Sequence, residues 1–410
     1  MHKIEEKSFG RELVAAIEIC EDIIKIVIGY EYSGDILVIY KKQEPIKTNI
    51  QTDEEFQNFD KKEIFTVLKK FLDIKDSNFK LKIKINKAVI ILPSIDLKIF
   101  EIAEKKPVSN LKKISFNDME NIINSIKETL NNDQEHKNYR IVDIIPILFN
   151  YDTGCSKNLP INVMSDFLEV KTSVQMLPTA IINNYDNLMK KVTNYNTFFR
   201  YDYLAASQAI AFALKDKKDY ICINVEKYKT FINIVSGGIV VCTDYFAFGS
   251  HQLIKSVSTE FEIDDIKAKK LCSFFGLDKR VLSFDPVILN RVLNDNSNIE
   301  KKYKLSDLNK IIEKYFNNFF FLFDSHIKKI LEKYGNKFSN FIFLESDFKI
   351  YGFFEYIKNM YKDYNVEKIK SNIFGARDDA FLKCVGAILA ANNDYNYKNF
   401  AQQKNKKNKI

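Results

Sequence analysis

The sequence predicts an α/β fold built from two similar halves. Each half begins with three short apolar runs, rich in β-branched residues and separated by polar turns, which is typical of an antiparallel meander. The six predicted strands are Leu13–Ile19, Ile23–Gly29, Ile36–Tyr40, Tyr220–Val225, Thr230–Val235 and Ile239–Phe246. Helical and strand patterns alternate after each meander, so we predict a sheet-and-helix unit that occurs twice.

The segment between the two meanders predicts further elements of the first half and a small inserted α+β unit. Ser115 precedes a run with helical spacing, and Asp118 stands three residues later as in a capping box. Gly154 and Pro160 mark a connector between the last two strands of this segment. The predicted elements are a helix over 61–74, a strand over 88–92, a helix after Ser115, and strands over Arg140–Phe149 and Phe167–Met176.

The second half is predicted to contain most of the helices. The longest is Leu305–Tyr334, with Ser306 as N-cap, Gly335 as C-cap and an aromatic run at 319–323 that we expect to be covered on most sides. The other predicted elements of this half are helices over Asp264–Phe275, Tyr351–Tyr361 and Asp378–Ala391, and strands over Phe341–Leu344 and Val366–Ile369. A further helix, Leu204–Leu214, is predicted just before the second meander and belongs to the first half.

Composition excludes several classes of protein. The 410 residues carry a net charge of +8, which is modest for this length, and no basic motif indicates nucleic-acid binding. The six cysteines and four histidines are scattered without metal-ligand spacing, so we expect no metal site and free thiols in a reducing cytosol. Neither a signal peptide nor an apolar run of transmembrane length is visible, so we expect a cytoplasmic protein.

The order of these motifs resembles the bacterial cell-division protein FtsA, a divergent member of the actin/Hsp70 superfamily. Several short segments support the resemblance, and it extends in order over nearly the whole chain. They are Leu168-Glu169-Val170, Leu177-Pro178-Thr179-Ala180, Tyr203–Ala213, Phe248-Gly249-Ser250, Ala268-Lys269-Lys270-Leu271 with Gly276, Leu344–Gly352 and Cys384–Leu389.

The resemblance implies an actin-like duplicated two-lobe fold with an inserted α+β subdomain of the 1C type. We therefore predict subdomain 1A at 1–83 and 169–214, and subdomain 1C at 84–168. Subdomain 2A is predicted at 215–250 and 336–391, subdomain 2B at 251–335, and a basic disordered tail at 392–410.

The family's nucleotide motifs are degraded in this sequence. Its phosphate turns need glycine, because the backbone must approach the phosphate closely. Cys20 stands where the first turn would have glycine, and the second turn, Asn224–Lys229, has none. The residues of this vestigial nucleotide cleft are Glu18, Cys20, Lys25, Asn224, Lys227, Lys229, Glu345, Ser346 and Gly352. Glu18 would replace an aspartate that holds Mg²⁺-bound water; alternatively, these residues are ordinary solvated surface turns. ATP with Mg²⁺ is the only cofactor implied, and the degraded motifs argue against it and against an enzyme.

Partners are also implied by the resemblance. In FtsA, subdomain 2B binds the acidic, apolar C-terminal peptide of the tubulin homologue FtsZ. The residues here that would make such contacts are Lys301, Lys302, Lys304, Lys314 and Tyr315. The tail Lys398–Ile410 holds five lysines and no acidic residue, so it would contact an anionic membrane or remain a solubilising extension.

The leading hypothesis is an FtsA-like adaptor that self-associates in actin-like fashion and links FtsZ filaments to the inner face of the membrane at the division site. A PilM-like assembly scaffold that binds an envelope peptide is the first alternative. An ATPase or sugar kinase of the same superfold is the second, and it would require the phosphate glycines that are missing here.

Overall fold

The computed structural model describes residues 12–19, 23–32, 35–46, 61–73, 84–94, 96–108, 112–192, 196–214, 219–276, 285–294, 297–334, 338–344, 350–369, 373, 375–377 and 379–392. The chain divides into two compact units. The first comprises residues within 1–215, 239–241 and 371–410, and the second comprises residues within 216–238 and 242–370.

The described ranges contain sixteen strands and nine α-helices. The strands are β1 (Val14–Ile19), β2 (Ile23–Tyr32), β3 (Asp35–Pro45), β4 (Lys87–Leu92), β5 (Lys98–Pro107), β6 (Tyr139–Tyr151), β7 (Gly154–Ser156), β8 (Phe167–Pro178), β9 (Asn196–Tyr201), β10 (Tyr220–Val225), β11 (Thr230–Ser236), β12 (Ile239–Phe246), β13 (Val287–Asn294), β14 (Ser297–Lys304), β15 (Asn340–Leu344) and β16 (Asn365–Lys368). The helices are α1 (Lys61–Leu72), α2 (Phe116–Asn132), α3 (Thr179–Val192), α4 (Asp202–Ala213), α5 (Ser250–Glu260), α6 (Asp265–Phe274), α7 (Leu305–Tyr334), α8 (Phe353–Met360) and α9 (Leu382–Asn392).

Two five-stranded sheets have the same topology, which confirms the predicted duplication. The first has the order β3-β2-β1-β4-β9, and the second has the order β12-β11-β10-β15-β16. In each, an antiparallel meander is extended by two parallel strands: β4 and β9 follow β1, and β15 and β16 follow β10. Both predicted meanders are therefore present, and the repeat includes the strands that follow them.

The first sheet is covered by helices on both faces because alternate apolar side chains point to opposite sides. Val14, Ala16 and Val27 pack on one side in a core that includes α9 and part of α4. Helices α1 and α3 contact strands of the same sheet. Helix α9 therefore belongs with the first sheet, whereas the sequence prediction placed 378–391 in subdomain 2A; its small apolar residues fit against α4 and the first meander.

A separate α+β unit is inserted between β4 and β9. Its sheet has the order β5-β8-β6-β7, and α2 packs on one face of it through Met119, Ile122 and Ile126. The predicted capping box is confirmed: the Ser115 hydroxyl accepts from the Asp118 N–H at 3.4 Å, and the Ser115 N–H donates to the Asp118 carboxylate at 2.8 Å. The predicted boundary at 84 is wrong, because β4 lies within 84–168 and pairs with β1 in the first sheet.

The second unit is built on aromatic packing between its sheet and α7. Phe323 of α7 contacts Phe341 and Phe343 of β15 at ring-centroid distances of 6.3 and 6.4 Å. Helix α5 packs against α7, α8 follows β15 in the chain, and β13 and β14 form a separate two-stranded hairpin.

The long helix has the predicted bounds but differs in one detail. Ser306 lies inside α7 and donates its hydroxyl hydrogen to Asp285 at 2.6 Å, so it is not the N-cap. The aromatic run at 319–323 is covered on most sides, as predicted, although 77% of the Phe321 side chain is exposed. Gly335 lies outside the described residues.

Candidate functional site

The first predicted turn begins with a buried ion pair. Glu18 is the one charged residue of β1, and the antiparallel register places it directly opposite Lys25 of β2. The Lys25 ammonium lies 3.7 Å from Glu18 Oε2, and both side chains are buried. The structure therefore brings these two predicted site residues together, and the alternative of a solvated surface carboxylate is wrong for Glu18.

Two residues from distant parts of the chain complete this cluster. Lys383, in the first turn of α9, lies 3.3 Å from Glu18 Oε1 and 3.5 Å from Asp202 Oδ2. Asp202, the first residue of α4, also accepts a hydrogen bond from the Ser94 hydroxyl just after β4. We call Glu18, Lys25, Asp202 and Lys383 the buried ion cluster.

The buried ion cluster satisfies the rule that buried charges must be paired. Its two carboxylates and two ammonium groups sum to zero formal charge, so no net charge is removed from water. The neighbouring thiol also remains neutral: burial, and after it the charge of Glu18, raises the pKa of Cys384 well above its usual value. Each oxygen of Glu18 has a lysine ammonium within 3.7 Å. These partners do not fit a carboxylate that holds Mg²⁺-bound water.

The second predicted turn is closed by its own hydrogen bonds. Asn224 Nδ2 donates to Glu226 Oε1 at 2.7 Å, and the Glu226 N–H donates to the Lys229 carbonyl at 2.9 Å. The first N–H groups of α5 then donate to this turn: Ser250 N–H to the Glu226 carbonyl at 2.9 Å, and His251 N–H to the Lys227 carbonyl at 2.8 Å.

This arrangement does not fit a phosphate. Free N–H groups at a helix N-terminus are what phosphate usually binds, and here two of those of α5 are bonded to carbonyls. Gly249 allows the close approach, since a Cβ there would lie 2.3 Å from the Glu226 carbonyl oxygen. Gly249 therefore allows the start of α5 to contact the second turn closely.

The two lysines of the second turn lie beside aromatic rings. Lys227 Nζ is 5.1 Å from the centroid of the Tyr228 ring, and Lys229 Nζ is 5.0 Å from that of Tyr245. Tyr228 in turn contacts the His251 ring at 4.8 Å. Burial, and after it the charge of Lys227, lowers the pKa of His251, so this imidazole favours its neutral form.

Of the remaining predicted cleft residues, one can be placed. Gly352 adopts a left-handed conformation with φ of 78° and precedes the first residue of α8. Its carbonyl accepts from the Tyr356 N–H at 3.0 Å, so Gly352 has a structural role at the start of that helix. Cys20, Glu345 and Ser346 lie outside the described residues.

The predicted partner-binding residues divide into two groups. Lys301, Lys302, Lys304 and Lys314 are exposed, and Lys301 lies 3.6 Å from the Glu262 carboxylate. Tyr315 is only 4% exposed, and its hydroxyl donates to the Gly249 carbonyl at 3.0 Å. The assignment of Tyr315 to a partner surface is therefore wrong, because this side chain belongs to the core between α5 and α7.

Helix α6 presents an exposed apolar and basic surface that was not predicted from the sequence. Ile266 and Phe274 are 70% and 76% exposed, and Lys267, Lys269 and Lys270 are exposed on the same helix. We call these five residues the α6 surface. In the sequence, this surface is indicated only by a helical segment that has more apolar residues than one buried face can accommodate.

The buried ion cluster could be predicted only in part. Lys383 is the one charged residue in the apolar stretch 382–391, and Asp202 begins a small-residue helix. A charge in such a stretch indicates a buried partner, but not which one.

Two negative findings concern only the described ranges. Among those residues, no group of three or more histidine, cysteine, aspartate or glutamate side chains has a geometry that could hold a metal ion. None of their helices combines the length and the apolar composition that crossing a lipid bilayer requires.

Comparisons with known proteins identify similar structures but no relative in sequence. No family model matches the chain, and no curated protein matches it. The PilM–PilN type IV pilus biogenesis complex is similar with a TM-score of 0.58 and 10% identity over 92% of this chain and 98% of that one.

Two further solved structures match with a TM-score of 0.51 and 10% identity. MreB 5 of Spiroplasma citri bound to AMPPNP covers 96% of this chain and is itself covered over 99%. The MamK double helical filament covers 93% of this chain and is also covered over 99%. Together with the repeated five-stranded sheets, these matches show that the chain has an actin-like duplicated α/β fold.

Proposed function

We propose that this protein is an actin-like scaffold without catalytic activity, and that it acts as an FtsA-like cell-division adaptor. In this proposal the chain self-associates, binds the C-terminal peptide of FtsZ through its second unit and contacts the inner face of the membrane. Three features support the proposal: the inserted α+β unit, the contacts of Glu18 and of the second turn, and the α6 surface.

The contacts of Glu18 and of the second turn favour a scaffold over an enzyme. Both oxygens of Glu18 face lysine ammonium groups, and the carbonyls of the second turn accept hydrogen bonds from the first N–H groups of α5. An ATPase or sugar kinase would need backbone N–H groups and a carboxylate free to act on a metal-bound nucleotide. Calorimetry with ATP and Mg²⁺ tests this directly: we expect no heat of binding, and tight binding with turnover would favour the enzyme alternative.

The α6 surface is the observation on which the partner proposal depends. Ile266 and Phe274 would enter the apolar part of a peptide, and Lys269 and Lys270 would meet its acidic side chains. One of the predicted lysines of β14 lies near this helix, since Lys301 contacts Glu262, two residues before the N-cap Asp264 of α6. We therefore place the proposed peptide-binding surface at α6 instead of at Tyr315.

A peptide-binding assay tests the proposal. We expect a fluorescent C-terminal FtsZ peptide to bind the wild-type protein, and Phe274→Ala to weaken binding by roughly tenfold, which corresponds to about 1.4 kcal/mol. Phe321→Ala is a matched control, because Phe321 is 77% exposed and lies on α7. Absence of wild-type binding, or equal losses in both variants, would remove FtsZ as the partner.

A PilM-like scaffold is the second candidate, favoured by the structural likeness to the PilM–PilN complex. In that case the partner would be the cytoplasmic peptide of an envelope protein. The same assay distinguishes the two candidates when both labelled peptides are presented to the wild-type protein and to Phe274→Ala. Binding of the envelope peptide alone would select the PilM-like function.

A further inference from the structure

Lys383 occupies an unusual place for a lysine. It lies in the first turn of α9, and its side chain is only 15% exposed. A positive charge at a helix N-terminus is opposed by the helix dipole, and burial removes its hydration. Apart from the Tyr203 ring, whose centroid lies 5.7 Å from Lys383 Nζ, neither the helix nor the surrounding apolar core stabilises this ammonium group.

The two carboxylates supply that stabilisation. Lys383 Nζ lies between Glu18 Oε1 at 3.3 Å and Asp202 Oδ2 at 3.5 Å, so one cation bridges two acids that are 184 positions apart in the chain. Asp202 is itself at a favourable position, because the N-terminus of α4 attracts negative charge. The ammonium is thus held by the pair of acids rather than by its own helix.

The oxygens around Lys383 are of the kind that hard divalent cations prefer. Two carboxylates and the Ser94 hydroxyl, which bonds to Asp202, provide an all-oxygen environment of net negative charge once Lys383 is set aside. Lys25 neutralises part of that charge from the other side of Glu18. The cluster therefore has the donors of a cation site, with an ammonium at its centre.

We propose that Lys383 is a built-in substitute for a divalent cation, and that its removal turns Glu18 and Asp202 into ligands for such a cation. In the wild-type chain the tethered ammonium keeps metal ions out of this position. The protein would then have the electrostatic benefit of a metal at its first turn without depending on the metal concentration. This inference is independent of the proposed partner, because it concerns the first unit alone.

Manganese binding to Lys383→Ala tests the proposal. We expect electron paramagnetic resonance of Mn²⁺ to detect one site in this variant, with an affinity at least roughly tenfold above that of the wild-type protein. The site should disappear in the double variant Glu18→Gln with Lys383→Ala, since a carboxamide is a poor ligand for Mn²⁺. A folded Lys383→Ala protein without the site, or a wild-type site that depends on Glu18, would overturn the proposal.

A second set of variants covers the case in which Lys383→Ala does not fold. Lys383→Met keeps the length of the side chain and removes only its charge. We expect Lys383→Met to lower the melting temperature, and Asp202→Asn added to it to restore part of the loss, because the pair of changes leaves the cluster neutral. If the double variant is no more stable than Lys383→Met, the ammonium does not serve as the counter-cation of these acids.

Discussion

The backbone of a neighbouring helix leaves no room for a side chain at Gly386. A Cβ at this position would lie 1.7 Å from the Ala205 carbonyl oxygen, which shows how closely α9 and α4 approach. Helical glycine is otherwise unfavourable relative to alanine, so its presence inside α9 reflects this contact rather than helix propensity.

Replacement of Gly386 by alanine should therefore destabilise the protein although it raises helix propensity. We expect Gly386→Ala to lower the free energy of unfolding by about 3 kcal/mol, because the two backbones must separate. Urea denaturation measures the change. Asn317→Ala, at an exposed position of α7, is the control and should change stability by less than about 0.5 kcal/mol. A neutral Gly386→Ala would contradict the close helix contact.

Tyr315 is a second residue whose role is fixed by a single contact. Its hydroxyl donates to the Gly249 carbonyl at 3.0 Å, and burial raises its pKa. We expect Tyr315→Phe to lower the free energy of unfolding by about 1 kcal/mol, since a buried hydrogen bond is lost. Peptide binding in the assay described above should not change, and a large loss of binding would restore Tyr315 to the partner surface.

The cysteines should differ sharply in reactivity. Cys155 of β7 is exposed, whereas burial raises the pKa of the Cys272 thiol to about 12. At pH 8 only about one Cys272 in 10⁴ would be a thiolate, which is the reactive form. Mass spectrometry after brief maleimide treatment should find Cys155 labelled and Cys272 labelled only after denaturation. Equal labelling of both in the native protein would contradict the packing of α6.

At the scale of single elements, one apolar run of α7 contains both buried and exposed phenylalanines. Phe319 and Phe323 are fully buried and contact other rings of the second unit, while Phe321 on the same helix is exposed. Because successive residues of an α-helix are rotated around its axis, Phe321 lies on a different face from Phe319 and Phe323. Sequence alone gave the bounds of this helix but not which of its adjacent phenylalanines face the sheet.

Substitution of these phenylalanines measures the difference. We expect Phe323→Ala to lower the free energy of unfolding by about 3–5 kcal/mol, because a buried ring leaves a cavity. Phe321→Ala should change it by less than about 0.5 kcal/mol, since the side chain remains in water in both states. Thermal or urea unfolding of the two variants provides the comparison, and similar losses would show that α7 is oriented differently.

Elements with a strong local pattern could be predicted, and those defined by distant contacts could not. The meanders and the Ser115 capping box were found because their signals lie within a few residues. Strand β5, a charged edge strand of the insert, and helix α3 were missed, since β5 has few apolar positions and α3 begins directly after a strand.

The residues of the buried ion cluster also divide into those that a local pattern predicts and those that distant contacts bring together. The pairing of Glu18 with Lys25 depends on one hairpin register, and both were among the predicted residues. Lys383 and Asp202 were not, because 181 residues separate them and only the packing of α9 on α4 brings them together. Periodicity indicates which face of a helix is buried, but it does not identify the partner.

At the scale of the whole molecule, the basic tail is the feature through which the proposed adaptor would reach a membrane. The tail lies outside the described residues, and its five lysines follow from the sequence alone. Near an anionic surface each lysine contributes about 1 kcal/mol at most, and salt screens the attraction.

Sedimentation with lipid vesicles tests this part of the proposal. We expect the full chain to sediment with vesicles rich in phosphatidylglycerol and to be released as salt increases. Removal of residues 393–410 should abolish the effect, and neutral phosphatidylcholine vesicles provide the control. If the shortened protein binds equally well, the tail is a solubilising extension.

The position of α9 has a consequence for how the protein is made. This helix covers β1, β2 and β4, yet its first residue, Leu382, is synthesised 368 residues after Val14, the first residue of β1. The apolar face of the first meander therefore stays uncovered while the ribosome completes the second unit, whose residues lie within 216–370. The N-terminal sheet can thus form in the nascent chain before its last helix has been synthesised. We therefore expect chaperones to bind the growing chain through this face until translation passes residue 392.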